Sequence, residues 1–156
     1  MKALIVYYSW SGTTRTAARE IQKQTGADIF ELKPARQYPS DYNAVLKISQ
    51  QEQKYGARPA LAEIPDNIGD YDVIYLGFPN WYGDMPMLFY TFLNFCSLGG
   101  KKIAPFCTSG GSGLCDTVHT IKTMTPEATV LNGLSLGGPA APETIANWLN
   151  KIGLTE

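Results

Sequence analysis

Short apolar runs that do not alternate with polar residues recur along the chain and predict buried strands. The clearest are residues 3–8 and 73–78, which are rich in β-branched and aromatic side chains. Runs of this kind are typical of strands covered on both faces of a parallel sheet. The segment 103–107 is a third, although Pro105 lacks the N–H that a central strand uses. Shorter strands are predicted at 28–32 and 128–131.

Apolar residues at helical spacing lie between these strands. Ala17, Ala18 and Ile21 predict a helix over 13–25 that ends at Gly26. Ser40 is the expected N-cap of the next helix. The predicted helices are 13–25, 40–55, 87–95, one through Val118 and Ile121, and 142–152. Alternating strands and helices indicate an α/β three-layer sandwich with a mostly parallel, doubly wound sheet.

The polarity of the strands predicts their order in a five-stranded sheet. The second and fifth strands are short or polar and suit the edges, whereas the first and third are the most apolar. The order 2-1-3-4-5 satisfies this, while the alternative 3-2-1-4-5 would expose the third strand. Ligands of such sheets bind beyond the carboxyl ends of the strands, here where the first and third strands meet.

Composition narrows the class of protein. The chain has 156 residues, and we expect one domain over 1–156. Thirteen basic and fourteen acidic side chains leave a charge of −1, which disfavours a nucleic-acid binder. No apolar stretch approaches the ~20 residues that span a bilayer. Three cysteines without a C-x-x-C pair suggest a reducing, cytoplasmic location.

The loop after the first strand, loop 1 (residues 9–14), combines four hydroxyls with a glycine at the start of a helix. Free N–H groups and the positive end of the helix dipole favour an anion there, and a phosphate monoester fits without a lysine. Helix capping alone is the alternative interpretation. The candidate binding residues are Ser9, Trp10, Ser11, Gly12, Thr13 and Thr14.

The pattern Ser9-x-Ser11-Gly12-x-Thr14 resembles the [ST]-x-[ST]-G-x-T phosphate loop of the flavodoxin family. The order of elements along the whole chain resembles that family as well, in particular a branch with a helical insertion after the second strand, here about 33–62. The resemblance implies a flavodoxin-like fold and FMN as the cofactor, with its 5'-phosphate in loop 1. We expect the Thr14 hydroxyl to bind that phosphate.

Loop 2 (residues 79–84) follows the third strand and places two aromatic rings beside a glycine. The resemblance implies that Trp81 or Tyr82 stacks on the flavin and that the Gly83–Asp84 peptide can turn over; the alternative is that both rings pack under the insertion helix. Asp84 is also a candidate N-cap, with Pro86 in the following first turn. The candidate binding residues are Pro79, Asn80, Trp81, Tyr82, Gly83 and Asp84.

Loop 3 (residues 108–113) follows the fourth strand and has only small side chains, where many flavodoxins carry a tyrosine. Its N–H groups are expected to bond the pyrimidine edge of the flavin. The missing ring would leave room for a nicotinamide or a quinone. The candidate binding residues are Thr108, Ser109, Gly110, Gly111, Ser112 and Gly113.

Several other signals have weaker functional interpretations. A serine hydrolase built on Ser112 and His119 is disfavoured because Leu114 replaces the last glycine of a nucleophile elbow. Cys115 could be a redox thiol, whereas Cys107 is expected in the core. Met85 and Met87 are expected to pack in the core. Tyr42, Tyr55 and Arg58 are expected on a solvated helix face, and a lid or a subunit contact is the alternative. No cluster has metal-ligand spacing.

The sequence therefore predicts an FMN-binding, flavodoxin-like protein that transfers electrons, with the redox chemistry in the cofactor and no protein nucleophile. Its partner would be a redox protein or a small-molecule electron acceptor. The first alternative is an NAD(P)H-dependent quinone or flavin reductase. The second is a flavin-free interaction module of the same fold.

Overall fold

The computed structural model describes residues 2–138 and 141–154, so the predicted domain span of 1–156 includes five residues outside them. Strands and helices alternate from the first strand to the fourth helix, as the apolar pattern predicts. The strands are β1 (Ala3–Tyr7), β2 (Asp28–Glu31), β3 (Val73–Pro79), β4 (Lys102–Thr108), β5 (Thr129–Val130) and β6 (Leu134–Leu136). The helices are α1 (Thr13–Thr25), α2 (Tyr42–Lys54), α3 (Met87–Phe95), α4 (Thr117–Met124) and α5 (Pro142–Ile152), with a 3-10 turn at Ile68–Asp70.

The sheet is parallel and has the order β2-β1-β3-β4-β5, with β6 also paired to β4, which confirms the predicted order. Apolar side chains of α1 and α5 cover one face of the sheet. Those of α3 and α4 cover the other. The three-layer arrangement is therefore confirmed, and it brings the carboxyl ends of β1, β3 and β4 side by side. None of the helices described is long and apolar enough to cross a membrane.

The strand predicted at 128–131 is present as β5, but a second short strand, β6, pairs with the same edge of β4, and the break between the two lies opposite Pro105. β5 pairs with residues 102 and 103 of β4, whereas β6 pairs with residues 106–108. The carbonyl of Ile103 accepts from the N–H of Leu131, so the backbone of residues 103 and 105 points to this neighbour. Because Pro105 has no N–H to donate there, the ladder cannot continue. The sheet therefore has six strands rather than the predicted five, because β6 was not predicted.

The packing of β3 against the Phe106 ring in the middle of the sheet requires a glycine at position 77. Gly77 pairs with Phe106 across β3 and β4. A β-carbon on Gly77 would lie 2.1 Å from the Cζ atom of the Phe106 ring. Both strands are fully covered at this level, and Phe106 has no exposed surface. The absence of a side chain at Gly77 is what lets the ring lie across β3.

The insertion segment (residues 33–62) contains α2 and closes on itself through an antiparallel bridge between Pro34 and Leu61. The predicted N-cap at Ser40 is wrong. Asp41 caps α2, and its carboxylate accepts from the N–H of Ala44 at 2.9 Å. A carboxylate at this position also interacts favourably with the positive end of the helix dipole.

Candidate functional site

The three candidate loops meet at the carboxyl ends of β1, β3 and β4. The hydroxyl oxygens of Thr14 and Thr108 lie 2.7 Å apart, which joins loop 1 to loop 3. Asn80 joins loop 2 to loop 3, because its backbone N–H donates to the Thr108 carbonyl and its side-chain amide donates to the Gly113 carbonyl. The loops are thus one connected structure, at the position where parallel sheets of this order bind ligands.

Loop 1 wraps around the start of α1. Gly12 has a φ of 100°, a left-handed conformation that glycine adopts without steric cost. Its N–H donates to the Ser9 hydroxyl at 3.0 Å. The Ser11 and Thr13 hydroxyls lie 3.3 Å apart on the exposed side of the loop. Because the first N–H groups of a helix have no partner within it, this turn offers amide and hydroxyl donors to an anion.

The cation nearest to this turn is already paired. Arg15 donates to the Glu31 carboxylate at 2.6 Å, and Lys33 lies 4.0 Å from the other Glu31 oxygen. The Glu31 carboxylate raises the pKa of the Arg15 guanidinium. Loop 1 therefore presents hydrogen-bond donors rather than net charge to a ligand.

Trp10 is directed towards the insertion segment. Its indole N–H donates to the Pro39 carbonyl at 3.0 Å, and its ring lies 6.1 Å from the Tyr42 ring. A cavity of about 260 Å³ borders loop 1 on this side and is lined by residues such as Tyr8, Ser9 and Tyr38. Trp10 thus links loop 1 to the insertion segment.

Loop 2 contains a two-residue hairpin turn. Trp81 and Asp84 exchange backbone hydrogen bonds, and the residues between them, Tyr82 and Gly83, have φ values of 55° and 82°. Positive φ at both central residues is the type I′ signature, which normally selects Asn-Gly or Gly-Gly. Tyr82 is therefore held in a conformation that bulky residues seldom adopt.

The Gly83–Asp84 peptide is bonded on both sides. The Gly83 carbonyl accepts from the Asp116 N–H at 3.0 Å, and the Asp84 N–H donates to the Trp81 carbonyl at 3.2 Å. The Gly83 N–H is also used, by the side-chain oxygen of Asn80. Turning this peptide over, as the family resemblance implied, would break two hydrogen bonds.

Both rings of loop 2 contact the insertion segment, as the second interpretation of these rings predicted. Trp81 packs edge-on against Tyr8 and Tyr38, with ring centroids 5.7 and 5.3 Å away. The Tyr82 hydroxyl donates to the Leu46 carbonyl of α2 at 3.1 Å. Tyr82 nevertheless remains 44% exposed, so much of its ring is accessible to a ligand.

A part-buried polar pair lies beside the Trp81 ring. The Tyr38 hydroxyl donates to the Glu52 carboxylate at 2.6 Å. Burial raises the pKa of Glu52, and the bond from Tyr38 partly offsets this. Burial also raises the pKa of Tyr8 and of Tyr38, with the neighbouring Glu52 adding to both. Both phenols therefore stay protonated in the physiological range.

The predicted N-cap at Asp84 is wrong. The N-cap of α3 is Pro86, which provides no side-chain bond. The Asp84 carboxylate instead accepts from the Tyr90 hydroxyl of α3 and from the Met85 N–H. Burial, followed by this bond, raises the pKa of Tyr90 to about 12. The Arg58 guanidinium of the insertion segment covers the Tyr90 ring at 4.8 Å.

Some of the backbone N–H groups of loop 3 form hydrogen bonds within the loop. The Ser109 hydroxyl accepts from the N–H groups of Gly113 and Gly111, at 3.1 and 3.4 Å. These two amides are therefore engaged within the loop, contrary to the expectation that the loop's amides are directed at a ligand. Gly110, Gly111 and Ser112 are exposed and leave the space above the loop open.

The other sequence signals have structural explanations. No hydrogen bond within the described ranges joins Ser112 to His119, and no group of three potential metal ligands occurs there. Burial raises the pKa of the Cys107 thiol to about 12. The exposed Cys115 thiol donates to the Ser112 carbonyl. Buried side chains confirm packing for Met85 and Met87.

Sequence analysis gave no individual role to four residues that organise the site. Asn80 bridges two loops, and Tyr8 and Tyr38 flank Trp81. Gln53 of α2 donates to the carbonyls of Trp81 and Tyr82 at 3.4 and 3.3 Å. An amide side chain directly after a strand could have identified Asn80. The contacts of Tyr38 and Gln53 depend on the path of the insertion segment, which has no such local signal, whereas Tyr8 meets Trp81 because each follows one of two neighbouring strands.

The comparisons with known proteins agree with this geometry. A family model described as Flavodoxin matches residues 2–152. The chain belongs to the flavodoxin family. A crystal structure of a flavoprotein from Bacteroides eggerthii is similar, with 32% identity over 99% of both chains and a TM-score of 0.87.

Two further crystal structures are similar to this flavodoxin-family chain. A flavoprotein from Bacteroides uniformis is 30% identical over 96% of this chain and 97% of its own, with a TM-score of 0.84. A flavoprotein in complex with FMN from Lactobacillus acidophilus is 22% identical over 97% of this chain and 98% of its own, with a TM-score of 0.80. The last likeness concerns the fold alone.

Proposed function

We propose that this chain binds FMN across its three loops and transfers electrons through it, with a redox protein or a small molecule as the partner. The observation that carries the proposal is the connection of loops 1, 2 and 3 through Thr14, Thr108 and Asn80. This connection places the turn of loop 1, which suits an anion, and the exposed ring of Tyr82 together beyond the carboxyl ends of neighbouring strands. A reducing, cytoplasmic location goes with this proposal, since Cys96, Cys107 and Cys115 are unpaired.

The residues present fit both ends of FMN. The hydroxyls of loop 1 and the N–H groups at the start of α1 suit a phosphate, and no atom lies within 4 Å of a β-carbon built on Gly12. The half-exposed ring of Tyr82 and the small residues of loop 3 suit a flat ring system. FMN supplies the electron-transfer chemistry, while the chain binds and orients it.

A comparison of two flavins tests the proposal. FMN and riboflavin differ only in the phosphate, so titration of each against the protein isolates the role of loop 1. Several charge-assisted hydrogen bonds at about 1.5–3 kcal/mol each predict binding of FMN at least about 100-fold tighter than riboflavin. Equal affinities would reject loop 1 as the phosphate site. Unperturbed flavin absorption bands would reject FMN binding and favour the flavin-free module.

An NAD(P)H-dependent reductase is the second candidate function. It is favoured by the exposed Gly110, Gly111 and Ser112, which place no ring over the outer side of the site. Mixing the FMN-loaded protein anaerobically with NADH or NADPH separates the two functions. Rapid loss of flavin absorbance supports the reductase, whereas no reaction with either nucleotide supports an electron carrier that uses protein partners.

A further inference from the structure

We propose that the insertion segment is a positioning element of the flavin site, and that Gln53 is the residue through which it holds loop 2. The proposal rests on the proposed FMN site. It assigns to residues 33–62 a role in the geometry and affinity of that site rather than a surface role only.

The insertion segment makes several contacts with the single turn of loop 2. Gln53 donates to the carbonyls of Trp81 and Tyr82. The Tyr82 hydroxyl donates to the carbonyl of Leu46, which precedes Gln53 in the same helix. Tyr38 packs against the Trp81 ring. Two consecutive residues of the turn are thus held by both backbone and side chain.

Tyr82 has a strained backbone conformation. A non-glycine residue at a φ of 55° is held at a cost of order 1–3 kcal/mol, and such conformations persist where surrounding contacts determine them. Within loop 2 itself, Trp81 and Asp84 close the turn through backbone hydrogen bonds to each other. The contacts that hold the Tyr82 ring and carbonyl come from α2.

At the far side of the turn, the insertion segment contacts α3, which in turn holds Asp84. Asp84 accepts from Tyr90, and the Arg58 guanidinium lies over the Tyr90 ring. Gly83 is held by Asn80 and Asp116, which lie outside the insertion segment. A movement of α2 would therefore disturb the bonds to Trp81 and Tyr82, the residues that we place against the flavin ring.

The test compares two glutamines of the same helix. Gln53→Ala removes the bonds to loop 2, whereas Gln51→Ala truncates an exposed side chain of α2 and serves as the matched control. The first readout uses the protein without FMN. Hydrogen exchange of the Trp81 and Asp84 amides should speed up at least about threefold in Gln53→Ala and not in Gln51→Ala.

The second readout uses the FMN-loaded protein. Gln53→Ala should raise the dissociation constant of FMN about threefold to tenfold and shift the midpoint potential of bound FMN, while Gln51→Ala leaves both unchanged. A general loss of stability would not shift the potential. Tyr82→Phe, which removes the bond to Leu46 and keeps the ring, should change both quantities in the same direction.

The outcomes separate this proposal from the proposed function. Unchanged amide exchange in Gln53→Ala, or an unchanged potential and FMN affinity, overturns the positioning role even if wild type binds FMN. Faster exchange in a protein that does not bind FMN overturns the flavin site, because the turn would then be positioned for something other than FMN.

Discussion

The hydroxyl oxygens of Thr14 and Thr108 lie 2.7 Å apart in the interior, although 94 residues separate them in the chain. Thr14 is 2% exposed and Thr108 5% exposed, so water cannot replace either partner. One hydroxyl proton lies between the two oxygens. The pair is therefore a structural link between loop 1 and loop 3.

The pair should be energetically coupled. Thr14→Val and Thr108→Val each leave a buried hydroxyl without its partner and should cost about 1–3 kcal/mol of unfolding free energy. The double variant removes both hydroxyls, so its cost should be smaller than the sum by about 1 kcal/mol. Urea unfolding of the four proteins without FMN measures this. Strictly additive costs would mean that the two hydroxyls do not interact in solution.

The close approach at Gly77 predicts a large effect from a single methyl group. Gly77→Ala places a β-carbon against the Phe106 ring, which is enclosed by the sheet and α5. We expect a loss of about 1–3 kcal/mol of unfolding free energy.

Gly69→Ala is the control for Gly77, because no atom lies within 4 Å of its β-carbon and it does not need a positive φ. It should change stability by no more than about 0.5 kcal/mol. Equal effects in the two variants would mean that the ring moves aside freely.

Because the pKa of Glu52 is raised, replacing Glu52 by glutamine should change the free energy of unfolding in a pH-dependent way. With a pKa above its unfolded value, Glu52 binds its proton more tightly in the native state. Stability from this group is therefore fully present below the unfolded pKa and is lost as the pH rises through the native pKa.

Glu52→Gln removes this dependence and retains an acceptor for the Tyr38 hydroxyl. The variant should thus gain stability relative to wild type between about pH 4 and about pH 7. Urea unfolding at both pH values measures the difference. A relative loss over the same interval would show that the carboxylate is stabilised rather than disfavoured by its surroundings.

Thr91 of α3 carries the one buried side-chain hydroxyl without a hydrogen-bond partner among residues 2–138 and 141–154. Thr91→Val keeps the shape and removes the unpaired group, so unfolding free energy should rise by about 1 kcal/mol. Thr25→Val is the control. Its hydroxyl donates to the Ile21 carbonyl and accepts from the Ala27 N–H, so this substitution should reduce stability. A less stable Thr91→Val protein would indicate a partner for that hydroxyl in solution.

The order of the sheet could be predicted because it depends on local polarity. The apolar β3 must lie inside the sheet, and the acidic residues of β2 suit an edge. The locations of the three loops follow from the same pattern, since each comes directly after a central strand.

The partners of individual side chains could not be predicted in the same way. The Trp10 indole bonds to the Pro39 carbonyl and the Tyr82 hydroxyl to the Leu46 carbonyl, 29 and 36 residues away. These contacts depend on how the insertion segment folds back over β1 and β3, which no local pattern records. The cap at Asp41 rather than Ser40 was missed for a different reason, because two good capping residues are adjacent.

The gap between β5 and β6 has a consequence for how this molecule behaves among its copies. A long, regular border of a sheet exposes a row of backbone groups that another chain can extend into a shared sheet. Here the border opposite Pro105 consists of two strands of two and three residues. Such a discontinuous edge exposes too few backbone N–H and C=O groups in register for a strand of another chain to pair with it. This edge therefore disfavours aggregation by strand addition.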